Sequence, residues 1–391
     1  MRKRKEYLDK HKWEIYQDNQ SYWCTYLPDP TKRNGRRKVR RRFKEDVEKA
    51  VINYWKNDLE NPTFEVLFNR WNDKRLQDGA IEPSTHDQNR MVYRRFCTDF
   101  GQRRIKDLKA MDVLDFLESV PEAAHKKEGR PLSSKAFTAL KVIVKGTLKR
   151  ARREELTSIS VTDIFDDLDV SPKRLAQRSV SEEDDVFTEE ELPKFMTYLK
   201  EHPDPQNLGI LLMIYTGIRV GELAALKHSD VLEGADGYQI NVERTETAYT
   251  GEDGKRIYTV RDHTKTPAGV RKVVVPTGAY WLIRKLETLN PFGEYIFVNA
   301  KGERLTTNAF RARQKRVCSW IGIKPKSPHK SRKTYASLLL NNSCDLNFIK
   351  NQMGHTDITT TESFYHKDMR SIRRKTEILD QMLQFRGNEA G

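Results

Sequence analysis

The sequence lacks the features that mark membrane, secreted and metal-binding proteins. Its 391 residues contain no apolar run near the roughly 18 to 20 residues of a membrane span. No apolar segment follows the basic N-terminus as a secretory signal would require. Cysteine is scarce, and no CxxC spacing connects Cys24, Cys97, Cys318 and Cys344. They favour unpaired thiols in a reducing compartment over a disulfide frame or a zinc site, so we expect a cytoplasmic protein.

Positive charge is what the sequence has in excess. It carries 71 Lys and Arg against 56 Asp and Glu, a formal net charge of +15, with an isoelectric point near 9.4. Such an excess favours a polyanionic partner, and nucleic acid is the commonest one. A basic surface without such a partner is the plainer alternative. The chain length predicts about two to three domains.

Residues 1–58 form a basic segment, since the first 50 residues hold 16 Lys and Arg against 8 Asp and Glu. Trp13–Tyr16, Tyr22–Leu27 and Arg36–Phe43 have the composition of strands, and Lys44–Lys56 has helical spacing. We predict a three-stranded sheet over one helix, which presents its basic strand to a DNA groove. A flexible arm that touches only phosphates is the alternative. The candidate DNA contacts on this strand are Arg36, Arg37, Lys38, Arg40, Arg41 and Arg42.

Residues 62–170 have helical spacing throughout and predict a four-helix domain. The second helix is expected at Ser84–Phe100, the third at Ala110–Ser119 and the fourth at Ser133–Arg153. The fourth helix shows a row of lysines outward, and we take Lys141 and Lys145 as candidate contacts to a DNA backbone. The polar stretch 171–185 then reads as a linker.

Residues 186–391 mix helices with short strands. Thr188-Glu189-Glu190-Glu191 has the capping-box pattern of a helix start. Alternation predicts three strands, at Tyr238–Val242, Ile257–Val260 and Val270–Val275. Helical spacing predicts Leu208–Tyr215, Thr277–Leu289, Thr307–Ile321, Ser331–Asn341, Asp345–Met353 and an amphipathic tail from Ile372 to Phe385. The chain is thus expected to be a multidomain α+β protein: a small N-terminal sheet plus helix, a helical domain, and a mainly α domain with a small antiparallel sheet.

One tyrosine stands in a setting that suggests chemistry. Tyr365 follows His355 by ten residues, across a threonine-rich run. A tyrosine hydroxyl, with an ordinary pKa of about 10, is a poor nucleophile unless cations and proton acceptors assist it.

Residues upstream offer that assistance. Arg219 lies at a helix start, where the helix dipole favours an anion. His329 and Arg332 are three residues apart on one helix face, and an arginine binds two phosphate oxygens at once. Lys265 lies in a loop between two strands, a position suited to protonating a leaving oxygen. Each is weak evidence alone, since a lone arginine is more often a salt-bridge partner.

The ordered set carries more weight. In chain order the sequence has Thr216-Gly217-Ile218-Arg219-Val220-Gly221-Glu222-Leu223, Thr264-Lys265-Thr266, His329-Lys330-Ser331-Arg332, Met353-Gly354-His355 and Tyr365. With this pattern, residues 186–370 resemble the tyrosine recombinases, the phage-integrase family, and fill all six catalytic positions. Met353 stands where the family more often has leucine, a conservative change. The layout is similar to integrases of phages and conjugative transposons, which implies an arm-site domain at 1–58, a core-binding domain at 62–170, the linker 171–185 and a catalytic domain at 186–391.

The resemblance also implies a mechanism. Tyr365 would attack a DNA phosphodiester and form a 3′-phosphotyrosyl link, and Lys265 would protonate the leaving 5′-oxygen. Arg219 and Arg332 would bind the non-bridging oxygens, while His329 and His355 would hydrogen-bond the phosphate and help to manage the tyrosine proton. The covalent link keeps the bond energy, so no cofactor and no metal are expected. A second exchange through a four-way junction would complete recombination.

The implied partners follow from the same resemblance. They are double-stranded DNA with core and arm attachment sites, a homotetramer assembled on it, an excisionase and a DNA-bending host factor, and no membrane. The tail after Tyr365 would pack on a neighbouring protomer, or fold back on its own domain in the free monomer.

Three alternatives stay open at this point. A type IB topoisomerase uses a similar residue set, although relaxation of supercoils needs no second DNA site such as residues 1–58. A DNA-binding regulator with relic catalytic residues is disfavoured by the complete set. Tyr335 is a rival nucleophile beside Arg332, but it continues into an apolar run, so core packing is the better interpretation.

Overall fold

The computed structural model describes residues 2–29, 34–176, 182–251, 254–262 and 270–354. The chain divides into two compact units, Met1–Arg178 and Ser179–Gly391. Across the described ranges, every helix is too short or too polar to span a bilayer.

The N-terminal part of the first unit is a three-stranded antiparallel sheet beside a helix, which confirms the predicted architecture. The strand order is β1-β2-β3, and Thr25 pairs with Val39 in the register of the last two strands. Leu27, Val39 and Val51 form its small core. A short N-terminal helix is present that the basic sequence did not suggest. The elements are α1 (Arg2–Asp9), β1 (Tyr16–Gln17), β2 (Trp23–Pro28), β3 (Arg36–Arg41) and α2 (Lys44–Glu60).

The rest of the first unit is helical, with a separate core of its own. Five helices occur instead of the four expected, and the third is longer than its pattern suggested. Pro121 lies within this helix and is buried, and the helix continues to a left-handed cap at Gly129. The helices are α3 (Phe64–Gln77), α4 (Pro83–Phe96), α5 (Ala110–Glu128), α6 (Ser134–Arg153) and α7 (Val161–Asp167).

Two further short strands close this part of the chain. β4 (Leu132–Ser133) pairs in parallel with β5 (Leu175–Ala176). The stretch expected to be a linker therefore contains β5, and it also contains the short helix α8 (Glu182–Asp185) at the start of the second unit.

The second unit is mainly helical around one large core. Its centre is the helix Pro205–Thr216, which is apolar on all sides because it packs against neighbouring helices all round. The helices are α9 (Glu191–Glu201), α10 (Pro205–Thr216), α11 (Val220–Ala224), α12 (Tyr280–Glu287), α13 (Thr307–Trp320), α14 (Pro328–Asn341) and α15 (Leu346–Met353).

The strands of the second unit form a three-stranded antiparallel sheet and a separate hairpin. The sheet has the order β10-β7-β6, and the hairpin pairs β8 with β9. Three of these strands match the predicted ones, whereas β6 and β8 were not predicted. The strands are β6 (Val231–Gly234), β7 (Gly237–Val242), β8 (Thr245–Thr250), β9 (Arg256–Arg261) and β10 (Arg271–Val274).

The expected capping box before α9 is present. The Glu191 backbone N–H donates to Thr188 Oγ1 over 3.2 Å, and the Thr188 N–H donates to Glu191 Oε2 over 3.1 Å. Two donors at the helix start are thereby satisfied reciprocally.

Candidate active site and nucleic-acid surfaces

Arg219 lies at the turn between α10 and α11. Gly217 ends α10 in the left-handed conformation, at φ +67°, and Arg219 then occupies the cap position of α11. Its guanidinium donates to Glu222 Oε1 over 2.8 Å and to the Gly354 carbonyl over 3.1 Å. The side chain remains 41% exposed, so it is oriented from behind while it still faces solvent.

Glu222 is the buried anion that holds this arrangement. Arg271, on β10, donates to both carboxylate oxygens, over 3.1 and 2.9 Å, and is itself buried. Burial alone would raise the pKa of Glu222, but Arg271, Arg332 and Arg219 outweigh it and lower that pKa to about 2. Glu222 is therefore ionised at neutral pH, with Arg219 and Arg271 bonded to its carboxylate.

Arg332 is the second arginine of the predicted set, and it is almost fully buried within α14. Its guanidinium donates to the carbonyl oxygens of Gly217 and Met353. It thus connects the turn before Arg219 to the end of α15. A buried arginine with fixed carbonyl partners offers a preorganised positive charge at this point.

His329 lies one turn before Arg332, in the first turn of α14. It keeps a solvent-accessible surface, yet protein atoms surround it closely enough for desolvation to act. That desolvation, with the positive charges of Lys333 and Arg332, lowers the pKa of His329 below its ordinary value of 6.5. The ring is therefore mainly neutral at pH 7 and has one nitrogen able to accept a hydrogen bond.

These three predicted residues meet in one open groove of about 400 Å³, lined by Arg219, His329 and Arg332 among others. The groove is suited to an anion, because two arginines and a histidine face it together. Lys265, His355 and Tyr365 lie outside the described residues. The described chain ends at Gly354, however, whose carbonyl contacts Arg219, so His355 follows directly after a residue bonded to the site.

Sequence reasoning missed the residues that support the arginines. Glu222 stood within the quoted motif without a role, and Arg271 was not singled out. Gln352 was missed as well: its side chain both accepts from the Val274 N–H and donates to the Val274 carbonyl, which fastens α15 to β10. A glutamate three residues after an arginine at a helix start was the available signal for Glu222. The partners Arg271 and Gln352 come from distant segments and had no local signal.

The rival nucleophile Tyr335 is placed in the core, as expected. It is buried beside Ala336, Ile349 and Met353, and the amide nitrogen of Gln352 donates to its hydroxyl over 3.1 Å. Burial raises its pKa, which makes it a poorer nucleophile still.

The basic strand of the N-terminal sheet sorts its cations between two faces. Arg36, Lys38 and Arg40 point away from α2 and lie over tyrosine rings, with Arg36 4.3 Å from the Tyr26 centroid. The next residues along the strand, Arg37 and Arg41, alternate onto the helix side but remain exposed, and Arg42 follows the strand end. The outward face is thus cationic and aromatic, a composition suited to nucleic acid.

Arg40 differs from its neighbours because acceptors orient it. Its Nε donates to Asp18 Oδ2 over 2.8 Å, and another nitrogen donates to Gln20. Hydrogen bonds from Tyr22, Arg40 and Gln20 outweigh desolvation and lower the pKa of Asp18 to about 2.

The two candidate lysines of the helical part lie on α6. Lys145 is exposed and Lys141 is partly buried. Each ammonium lies over an aromatic ring, Lys141 5.5 Å from Phe137 and Lys145 5.4 Å from Phe165. Both remain near the surface, although their stems cover apolar rings.

Comparison with known proteins identifies the family. A model of the phage integrase family matches residues 185–371. The tyrosine recombinase XerC of Roseiflexus castenholzii is 28% identical over 285 residues, which cover 69% of this chain and 79% of that protein. For XerC of Staphylococcus aureus (strain USA300), the chain is 29% identical and spans only 58% of that protein's length.

Solved structures share the fold. The Tn1549 transposon integrase in complex with a circular intermediate DNA aligns with a TM-score of 0.60 at 18% identity, covering 81% of this chain and 98% of that one. A λ integrase tetramer bound to a Holliday junction aligns with a TM-score of 0.53 at 18% identity, covering 88% and 96%. The family match spans every residue that lines the groove. Residues 185–371 belong to the phage integrase family of tyrosine recombinases, enzymes that cleave and rejoin DNA in site-specific recombination.

Proposed function

We propose that this recombinase integrates and excises a mobile element, a prophage or a conjugative transposon. The observation that carries the proposal is the pairing, in one chain, of the arginine groove with a separate cationic sheet near the N-terminus. Simple cleavage and rejoining at one site needs only the first. A second DNA-binding module is what an element with distant arm sites requires.

The proposed chemistry assigns a step to each group. Tyr365 Oη attacks the scissile phosphorus, and a bond from oxygen to phosphorus forms as the bond from phosphorus to the 5′-oxygen breaks. Arg219 and Arg332 bind the non-bridging oxygens, where negative charge develops. His329, with its lowered pKa, and His355 accept hydrogen bonds and handle the tyrosine proton. Lys265 donates a proton to the 5′-oxygen, and reversal onto a second strand proceeds through a Holliday junction.

The proposed division of labour follows the predicted domains. Residues 1–58 bind arm sites, 62–170 bind core sites, 171–185 connect them, and 186–391 hold the catalytic groups. The separate cores of the N-terminal sheet and the helical part support two modules within the first unit. The exposed cations at Arg36, Lys38 and Lys145 supply phosphate contacts.

The proposed assembly is a tetramer on double-stranded DNA, in the cytoplasm, with an excisionase and a DNA-bending host factor as partners. Support comes from the λ integrase, whose tetramer is bound to a Holliday junction and whose fold this chain shares. The segment after Tyr365 is proposed to pack on a neighbouring protomer.

Covalent trapping on DNA tests the nucleophile. A nicked duplex from the element's own attachment core should trap the wild-type protein as a 3′-phosphotyrosyl complex that survives denaturing electrophoresis. Tyr365→Phe should abolish this complex, while Tyr335→Phe should retain it. A covalent complex formed by Tyr365→Phe would refute Tyr365 as the nucleophile. Supercoil relaxation without recombinant product would favour a topoisomerase.

A further inference from the structure

The groove that holds Arg219, His329 and Arg332 has a second wall. That wall is made by β8, by the start of β9 and by the first turns of α13, and it brings two more arginines to the same cavity, Arg256 on β9 and Arg311 on α13. Both are exposed, whereas Arg332 is buried. The cavity is therefore lined by arginines from four elements, at the start of α11, on β9, on α13 and on α14.

Among the described residues, Glu246 is the one carboxylate that lines the groove, and it does not cancel this charge. Glu246 is buried and already engaged, because Arg304 pairs with it and the Thr307 backbone N–H donates to it over 2.7 Å. The Glu246 carboxylate is therefore neutralised by Arg304 and fixes the start of α13. The four lining arginines thus leave the groove with a large positive excess.

Arg311 is distinguished from its neighbours on α13. Arg313, two residues on, pairs with Asp204 over 2.9 Å and has a structural partner. Among the residues that the structure describes, Arg311 has no carboxylate within ion-pair distance. An exposed arginine that faces a cationic groove without a protein anion is suited to an external one.

We infer that Arg256 and Arg311 bind the backbone phosphates on either side of the scissile phosphate. This inference rests on the proposed function, since it takes the phosphate at Arg219 and Arg332 to be the scissile one. A DNA strand carries a phosphate at each nucleotide, and a volume of about 400 Å³ exceeds what one phosphate needs. A strand seated between the two walls then has phosphates within reach of both. Arg256 and Arg311 are positioning residues that fix the register of the DNA strand. The proposed chemistry belongs to Arg219, His329 and Arg332.

Charge removal on protein and DNA together tests this contact. The full-length Tyr365→Phe protein, which leaves DNA uncleaved, is titrated with core-site duplexes carrying a single neutral methylphosphonate at successive positions around the cleavage point. Arg311→Gln should weaken binding to native DNA roughly tenfold, as one neutral phosphate at the contacted position should. Arg311→Gln with the DNA that carries this neutral phosphate should bind little more weakly than either change alone, because both changes remove the same contact. Arg256→Gln should show the same non-additive loss of affinity with a neutral phosphate at a different position.

Arg316→Gln is the matched control, since Arg316 is exposed on the same helix but does not line the groove. It should change affinity less than Arg311→Gln and show no coupling to any phosphate next to the cleavage point. Fully additive losses at every neutral phosphate, or equal losses for Arg311→Gln and Arg316→Gln, would overturn the inference. If the wild-type protein forms no covalent complex on its attachment core, the proposed function fails instead, so the two failures are distinguishable.

Discussion

The buried Glu222 offers the sharpest test of how the arginines of the candidate site are held. Replacing it by glutamine keeps the shape and removes the charge that Arg219 and Arg271 share. Arg271 then loses the buried carboxylate that accepts two of its hydrogen bonds. We expect Glu222→Gln to destabilise the second unit and to release Arg219 from its orientation.

Two arguments give a similar loss of unfolding free energy for Glu222→Gln. The pKa of Glu222 falls from 4.5 to about 2 on folding, and at 1.36 kcal/mol per unit this corresponds to ~3 kcal/mol. Removing one partner of a buried ion pair costs about 3 to 5 kcal/mol in general. For a unit of this size, a loss of ~3 kcal/mol lowers the melting temperature by about 6 to 12 °C.

The sign of the pH dependence is fixed by the direction of the shift. Because folding lowers this pKa, ionised Glu222 stabilises the folded protein at every pH above 4.5, and the stabilisation is lost as pH falls toward 2. The difference in melting temperature between wild type and Glu222→Gln should therefore be constant above pH 4.5. It should shrink as the pH is lowered below that value.

Calorimetry of the full chain, with cleavage of nicked core-site DNA, measures both consequences. Glu201→Gln is the control, because Glu201 is exposed at the end of α9. It should leave both the melting temperature and the cleavage rate unchanged. A Glu222→Gln protein that melts and cleaves like wild type, with the same acid dependence, would refute the idea that this carboxylate organises the site.

Three further changes test other parts of the molecule. Gly217→Ala should lower the thermal stability by more than Gly322→Ala does. Both glycines have a positive φ, but only at Gly217 would the added carbon lie 2.2 Å from the Tyr335 ring. Equal losses of stability would contradict this. The acid limb of the cleavage rate should have its midpoint below pH 6.5, because the pKa of His329 is lowered from that value, and His329→Gln should remove this limb; an unchanged limb would assign it to another group. Deleting residues 1–58 should spare cleavage of short core-site DNA but impair recombination between complete attachment sites, and equal loss of both would argue against a separate arm-binding module.

The fold was predictable from sequence where periodicity is strong and local. The apolar spacing of α6 and the alternation of β7 each repeat over enough residues to identify the element. β8 was missed because its sequence, Thr-Glu-Thr-Ala-Tyr-Thr, lacks an apolar alternation, and a hairpin with β9 supplies its pairing instead. The third helix was predicted as far as Ser119, but α5 continues to Glu128 with Pro121 buried inside it, so packing overrides the local cost of a proline in a helix.

Only those residues of the candidate site that belong to a short sequence motif could be predicted. Arg219, His329 and Arg332 could be named because each has a short local signature. The supporting residue Arg271 could not be named, since it reaches Glu222 across 49 residues of sequence. The outward face of β3 shows the same limit from another direction. Six basic residues were named there, and alternation groups those on the strand by face, but only the packing of Val39 into the core decides which group points outward.

The contacts of Arg332 tie the parts of the active site together. One guanidinium donates both to Gly217, two residues before Arg219, and to Met353, two residues before His355. Arg219 reaches the same helix end through Gly354, and Gln352 fastens that end to β10, the strand that follows Lys265. Segments that are distant in sequence and that carry the predicted catalytic residues are thus joined at the end of α15 by backbone carbonyls. A lysine at position 332 would keep the charge, but one ammonium on a flexible stem does not reproduce a planar fork that spans two fixed carbonyls. We therefore expect Arg332→Lys to lose the geometry of the candidate site although it keeps the charge.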